Sequence, residues 1–390
     1  QRLDGLCLPP ELMERGRAMG RKAVARELTL PRDRRLLMMS DIHGNLPFLQ
    51  RLLQKVKFGS GDTLFLLGDM LEKGKQSLDT LHFIMELTRE YDVRPLCGNC
   101  DNLVVDFLYG DGGGDEVFYL PYLSNRPESI IRQMGAQYGV EAVKGHEDLA
   151  RLRDILRRHF TPEMEFLCTL PTVLRSEKLL LVHGGVEDEE HPEKLDAWHC
   201  MKNDDFRHSG MTFRRTCVVG HWPVTLYDPV KPSAKPLFDE KMNLWSIDGG
   251  CVLKLDGQLN ALIFEGEGDP HPHYTAYDGL PAVTALDDQP EWADSVNIRW
   301  GKSEVEVLEE GKERSLCRHL RTGHTLLILN SYLYRGKDGV MHCEDSTDYR
   351  PEIHAGDSLH LVARVEGDAL VKKDGVTGWY RGRLADENAR

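Results

Sequence analysis

The chain has 390 residues, with 49 Lys+Arg against 63 Asp+Glu, a formal charge of −14, and 41% apolar residues before glycine is counted. That composition excludes disorder as the main state, and the negative balance excludes bulk attraction to nucleic acid or to an anionic membrane. No run approaches the roughly 18–20 uninterrupted apolar residues of a membrane span. The nine cysteines stand singly apart from Cys97-Gly-Asn-Cys100, which predicts reduced thiols in a cytoplasmic setting and not a disulfide framework. The opening Gln1-Arg2-Leu3 carries no secretory apolar stretch, in keeping with that location.

In chain order, residues 1–33 read as an N-terminal helical segment. Its basic part, Glu11–Arg26, carries Arg15, Arg17, Arg21, Lys22 and Arg26 as a solvated face. Residues 34–268 alternate apolar runs with helical periods, the mark of α/β architecture. Arg35–Ser40, Asp62–Leu67 and Asp92–Cys97 read as strands, separated by helices over Leu46–Val56 and around Leu78–Leu87. A glycine-rich turn at Asp111–Asp115 leads into a helical stretch best defined over Glu147–Phe160. Strands follow at Lys178–Val182, Thr216–Val219 and Asn243–Ile247, with Gln258–Glu265 pairing beside the last. Residues 269–285 read as a linker. From 286 to 390 helical periodicity disappears, and alternating runs separated by Lys337-Asp-Gly339 and Lys373-Asp-Gly375 predict a small all-β domain.

Polar residues interrupt the apolar runs at telling places. The first strand ends in Ser40-Asp41-Ile-His43-Gly44 and the second in Gly68-Asp69. The third ends in Gly98-Asn99-Cys100-Asp101, the next in His183-Gly-Gly185 and the fifth in Gly220-His221. The carboxyl edge of an α/β sheet is where sites form, so these residues converge there. As an inventory they suit two divalent cations. Asp41, His43 and Asp69 hold one, while Asp69, Asn99, His183 and His221 hold the other, with Asp69 bridging. Mixed N/O ligation favours Mn²⁺, with Fe or Zn²⁺ as alternatives, over Mg²⁺ or Ca²⁺. Two ions roughly 3.5–4 Å apart acidify a bridging water and neutralise a phosphoryl group under in-line attack. Because Gly98-Asn99 belongs to this set, a redox reading of Cys97-x-x-Cys100 is disfavoured.

These motifs resemble those of the calcineurin-like metallophosphoesterases, in particular the bacterial phosphoprotein-phosphatase-like branch. That branch carries Gly-Asp-x-His-Gly, Gly-Asp-x-Val-Asp-Arg-Gly, Gly-Asn-His-Glu, His-Gly-Gly and Gly-His. Here they read Ser-Asp41-Ile-His43-Gly, Gly-Asp69-Met-Leu-Glu72-Lys73-Gly, Gly-Asn99-Cys100-Asp101, His183-Gly-Gly and Gly-His221-Trp-Pro. Ser246-Ile-Asp-Gly-Gly-Cys251 also resembles the segment closing the catalytic domain of bacterial members. Over residues 34–265 the resemblance implies a four-layer αββα sandwich. The C-terminal domain is similar to a small SH3-like barrel only through Gly375–Tyr380. It is expected to pack against the catalytic domain, with recruitment of a peptide or a wall segment as the alternative.

The departures shape the functional expectation. The family's proton donor is the His of Gly-Asn-His, oriented by the Asp of the second motif; here those places hold Cys100 and Glu72, with Asp101 fixing the loop. A thiol titrates near about 8.5 and donates poorly once dications draw it toward thiolate. His82, His146 and His199 are other sources of a proton. Lys73 stands where the family has Arg, and Lys202 lies roughly where bacterial members carry another; both are read as phosphate contacts that lack the guanidinium fork. The resemblance thus implies a dinuclear phosphatase using a metal-bridging hydroxide on a small-molecule, nucleotide or phosphoprotein substrate. Phosphodiester or dinucleoside polyphosphate hydrolysis is the alternative, and a metal- and phosphate-binding module with weak turnover the second.

Overall fold

The computed structural model describes residues 21–110, 112–365 and 367–386. These divide into two compact units. One runs to Trp222 and adds Pro236–Leu253 and Leu259–Tyr277; the other comprises Pro223–Lys235, Lys254–Gln258 and the chain from Asp278 onward. Among the described residues no helix is long and apolar enough to cross a membrane.

The first unit begins with β1 (Ala25–Glu27), β2 (Arg35–Met39), α1 (Leu46–Lys55), β3 (Asp62–Leu67), α2 (Ser77–Glu90), β4 (Asp92–Leu96) and α3 (Asn99–Tyr109). A π-helical turn at Asp115–Tyr119 leads into α4 (Leu120–Asn125), α5 (Ile130–Ala136), α6 (His146–His159) and α7 (Thr161–Cys168). Then come β5 (Val173–Arg175), β6 (Leu179–Val182), α8 (Ala197–Met201), β7 (Thr216–Val219), β8 (Leu237–Asp239), β9 (Leu244–Ser246), β10 (Leu259–Phe264) and β11 (His273–Tyr277). Two sheets result, ordered β11-β10-β2-β3-β4 and β1-β5-β6-β7-β9-β8. The strands β2, β3 and β4 run parallel, as do β6, β7 and β9.

The continuous apolar runs are explained by burial on both faces. In β2, Leu36 and Met38 join Phe65, Leu67, Leu181, Val218 and Leu262 in the layer between the sheets. Their neighbours Leu37 and Met39 turn the other way, with Leu64 and Leu66, onto the helices. Leu49, Leu52 and Leu53 of α1 and Leu78, Leu81 and Ile84 of α2 supply the helical side of that core. The outer face of the six-stranded sheet packs Leu180, Val182, Cys217 and Val219 against Cys200, Phe206 and Phe213. Helices, two sheets and a thinner outer layer make the four-layer α/β sandwich.

Two boundary expectations are corrected. Residues 1–20 of the expected helical segment lie outside the described residues, and the remainder contains a strand: β1 pairs parallel with β5, Ala25 opposite Val173. Val24 N–H donates to Thr172 Oγ1 at 2.8 Å, so a free sheet edge and not a helix takes this backbone. The stretch 269–285 is no linker either. A tight turn, with Glu265 N–H on Asp269 Oδ2 at 2.9 Å, returns the chain into β11. That strand pairs antiparallel with β10 through β-favouring His273-Tyr-Thr-Ala-Tyr277.

The second unit is all-β among its described strands. Its five-stranded sheet orders Val376–Tyr380, Asp368–Lys373, Ser358–Val365, Ala282–Ala285 and Leu384–Asp386. The antiparallel strands Val305–Glu309, Arg314–His319 and Thr325–Leu329 form a separate sheet with its own apolar cluster around Ile298, Cys317 and Ile328. Trp379 and Tyr380 are buried, the indole N–H donating to Thr347 O at 2.8 Å and the phenol to Asp287 O at 2.8 Å. They are core residues of this unit.

Phe65 lies fully buried between the two sheets. Phe65→Ala is expected to cost about 3–5 kcal/mol, read as a lowered urea midpoint at unchanged slope.

Candidate metal centre

The carboxyl ends of strands from both sheets deliver the polar residues to one place. Asp41 and His43 follow β2, Asp69 follows β3, Asn99 opens α3 after β4, His183 follows β6 and His221 follows β7. The turns that aim them are strained. Of eleven non-glycine residues with positive φ among the described residues, six are Asp41, His43, Asp69, Glu72, Lys73 and His221. Such conformations cost about 1–3 kcal/mol each and persist where the surroundings enforce them. Gly220 is needed because a Cβ there would run into Ser40 Oγ and Asp41 Oδ2. Gly68 combines φ +82° with backbone of Gly98 only 2.6 Å from where its Cβ would stand.

Asp69 is the hub. His43 Nε2 lies 3.9 Å from its Oδ2 and His183 Nε2 3.2 Å from its Oδ1, which also accepts Cys100 N–H at 2.8 Å. His43 Nε2 is 3.8 Å from Asp41 Oδ1, and Asp41 Oδ2 accepts the His221 backbone N–H at 2.9 Å. Two clusters could each hold an ion: His43, Asp69 and Cys100, and Asp69, His183 and His221. Asn99 adjoins the first, its Nδ2 donating to Cys100 Sγ at 3.5 Å. The expected ligand set is therefore brought together, and the Cys100 sulfur joins it.

The test of whether ions fit lies in the polar atoms left without partners. Asp41 Oδ1, His43 Nε2, Asn99 Oδ1, His183 Nε2 and Asp248 Oδ2 are all buried with no hydrogen bond. Orphaned buried groups are rare because each forfeits its hydration without return. Five around one hub, all of ligand type, suit cations. The hydrogen bonding agrees: His183 Nδ1 sits 2.7 Å from Leu67 O and keeps its proton there, so Nε2 is the nitrogen that would give up its proton to a bound ion.

Burial and charge set the titration of the cluster. Burial raises the Asp69 carboxyl, but His183, His43 and Lys73 outweigh it and hold the pKa well below the usual range. Burial lowers His183, and Asp69 and Asp41 more than offset this, lifting it to about 10. Burial and the Lys73 ammonium push His43 down to about 4. Burial, with Asp69 beside it, drives the Cys100 thiol well above its ordinary value. Burial opposes charge on Lys73, but Cys100, Asp69, Asp41 and Asp248 prevail and raise it.

The remaining expected residues fall in distinct places. Asp101 is buried in the first turn of α3 and accepts the N–H groups of Met70, Leu71 and Gly98 at 3.0, 3.2 and 2.9 Å, tying the β3 and β4 loops together. Glu72 turns to the helical layer: its carboxylate accepts Tyr122 O–H at 2.7 Å, Ser129 O–H at 2.9 Å and Ile130 N–H at 3.0 Å. Lys73 stays in the electrostatic reach of the carboxylates, whereas Lys202 is paired with Asp204 at 3.0 Å. His82 and His146 pair with Glu163 and Glu116, and His199 is exposed on α8.

Two residues escaped the sequence reading. Asp204 Oδ1 lies 2.8 Å from His221 Nε2 and so orients that ring. Its own pKa is held low by His221 and Lys202. Asp248 follows β9, is fully buried, and has one oxygen on Gly250 N–H and the other bare. Its pKa is driven well up by burial and the nearby Asp41. Asp248-Gly-Gly repeats the strand–polar–glycine pattern of the other ligands, which was the available signal; for Asp204 there was none.

Two outcomes follow. Asp69→Asn removes the shared carboxylate and should lower bound Mn²⁺ from two ions per chain to one or none by elemental analysis. Burial lifts Glu72 from 4.5 to about 6, so the folded state keeps that proton to higher pH than the unfolded chain. Its contribution is full below about pH 4.5 and declines by about 2 kcal/mol as pH rises through 6. Glu72→Gln should remove that part of the slope in denaturant titrations between pH 4.5 and 6.5.

Among curated proteins, the chain is 29% identical over 149 residues to the symmetrical bis(5′-nucleosyl)-tetraphosphatase of Neisseria meningitidis, covering 38% of this chain and 42% of the relative. It is 38% identical over 155 residues to that of Pasteurella multocida, covering 39% and 44%. The match thus spans less than half the length of these relatives. A protein serine/threonine phosphatase structure from Saccharomyces cerevisiae aligns with TM-score 0.40 and 13% identity, covering 69% of this chain and 86% of that one. The calcineurin-like phosphoesterase family model matches residues 34–243, the stretch that supplies Asp41, His43, Asp69, Asn99, His183 and His221, and the chain belongs to that family.

Proposed function

We propose that the chain is a metal-dependent phosphoesterase that cleaves a P–O bond in a small phosphorylated substrate. The observation that carries this reading is the ring of buried, unpartnered ligand atoms around Asp69. The family binds a dinuclear divalent site, and here Asp41, His43, Asp69, Asn99, His183 and His221 would hold it, with Mn²⁺ suited to the N/O donors and Fe or Zn²⁺ as alternatives. When bound, such a pair supplies an acidified water and charge neutralisation at phosphorus. Lys73, raised and partly open to solvent, draws the phosphate dianion toward the cluster. Lys202 is engaged by Asp204, so its part in phosphate binding requires exchange of that carboxylate for the substrate.

The leaving-group side favours a second, narrower reading. Cys100 stands where the family places its proton-donating histidine, and a thiol pushed far above neutrality is a weak donor. Glu72 binds Tyr122 and Ser129 and so orients no acid at residue 100. Substrates whose leaving group needs little protonation fit this arrangement best, namely aryl mono- and diesters and polyphosphates. The relatives named for bis(5′-nucleosyl)-tetraphosphates support the same direction.

The chain loaded with Mn²⁺ should hydrolyse p-nitrophenyl phosphate or bis-p-nitrophenyl phosphate; a metal-loaded sample that turns over neither would leave a binding module. Cys100→His should raise turnover on alkyl monoesters by up to about 10²-fold and change p-nitrophenyl esters far less. Equal gains on both would defeat the leaving-group argument.

A further inference from the structure

Phe118 of the π-helical turn at Asp115–Tyr119 and Tyr122 of α4 lie four residues apart, and Arg126 follows directly after α4. The Phe118 and Tyr122 rings stack, with centroids 5.2 Å apart and planes 19° off parallel. The Arg126 guanidinium lies over Tyr122 at 5.9 Å from its centroid. Phe118 nevertheless remains 44% exposed, and Val117 beside it 85%. This exposure is built in. The Asp115 carboxylate is ion-paired to Arg153, which also lies over the Phe107 ring at 4.4 Å, and Tyr119 O–H donates to Asp106 at 2.6 Å. The turn is pinned from within while Phe118 faces solvent. Leaving a large ring in water forfeits burial energy, and π-helical turns of this kind recur at functional sites.

The shelf is tied to the loop that follows β3. Tyr122 O–H donates to Glu72 at 2.7 Å, and Glu72 precedes Lys73 in the loop that begins at Asp69. Beside the Lys73 loop there is thus a phenol ring, with the partly exposed Phe118 ring and the Arg126 guanidinium both placed against it. We propose that Phe118 and Tyr122, flanked by Arg126, form a stacking shelf for the base of a nucleotide whose phosphate lies at the metal centre. This rests on the phosphoester reading of that centre. A purine or pyrimidine offers a flat π-face to the exposed part of Phe118, and Arg126, whose guanidinium also lies 3.4 Å from Glu128, adds a cation–π component. The chain's −14 charge disfavours a nucleic-acid polymer and leaves a mononucleotide or dinucleotide as the ligand.

The Mn²⁺-loaded full chain is titrated calorimetrically with AMP, methyl phosphate and phenyl phosphate. AMP should bind at least about tenfold more tightly than methyl phosphate. Phe118→Ala should remove most of that gain without changing methyl phosphate binding, and Phe118→Trp should restore it. Equal affinities for AMP and methyl phosphate, or an AMP affinity untouched by Phe118→Ala, overturn the shelf. Phenyl phosphate binding as tightly as AMP overturns the nucleotide assignment in favour of an aryl site. Intact AMP selectivity without hydrolysis of any ester would instead count against the enzyme reading alone, so the two failures are separable.

Discussion

The Asp69 carboxylate governs this molecule. It is buried beside two imidazoles, anchored by one backbone N–H, and surrounded by buried oxygen and nitrogen atoms that make no hydrogen bond. Isolated buried charges are costly, so an arrangement that gathers Asp41, Asp69 and Asp248 with His43 and His183 is stable only with compensation. Lys73 and His183 supply part of it. In the proposed reading, divalent cations would supply the rest, which would link metal binding to the stability of these loops.

The scaffold makes that concentration of charge possible. Two sheets bury both faces of their strands, so the central runs are rigid and their ends fixed in space. Strain is confined to the turns just beyond: Asp41, His43, Asp69 and His221 all adopt left-handed backbone, and glycines at 68 and 220 allow those turns to approach closely. Asp101 then staples two of the loops through three backbone N–H groups. Backbone strain is thereby exchanged for the exact placement of ligands that a loose loop would not provide.

What distinguishes this chain is the leaving-group side of the centre. Cys100 is drawn into the ligand cluster through His43 and Asp69, and Glu72 is directed to the helical layer, where it fastens Tyr122, Ser129 and Ile130. The Glu72 carboxylate serves architecture here, joining α4 and the start of α5 to the loop after β3. The same helical segment carries the partly exposed Phe118 stacked on Tyr122.

By itself the sequence determined the alternation of buried strands and amphipathic helices and the six candidate metal-binding residues at strand ends. Both follow from local rules: apolar runs too short for helices, and polar residues beside glycine at the points where those runs stop. Asp248 obeyed the same rule and was legible in principle. Only the tertiary structure decided that β1 and β11 complete the sheets, since pairing at a free edge depends on a partner distant in the chain. The same holds for Glu72, Asp204 and Lys202, whose roles are set by whichever side chain folding brings within hydrogen-bond reach: Tyr122 for the first, and the His221–Asp204–Lys202 row for the others.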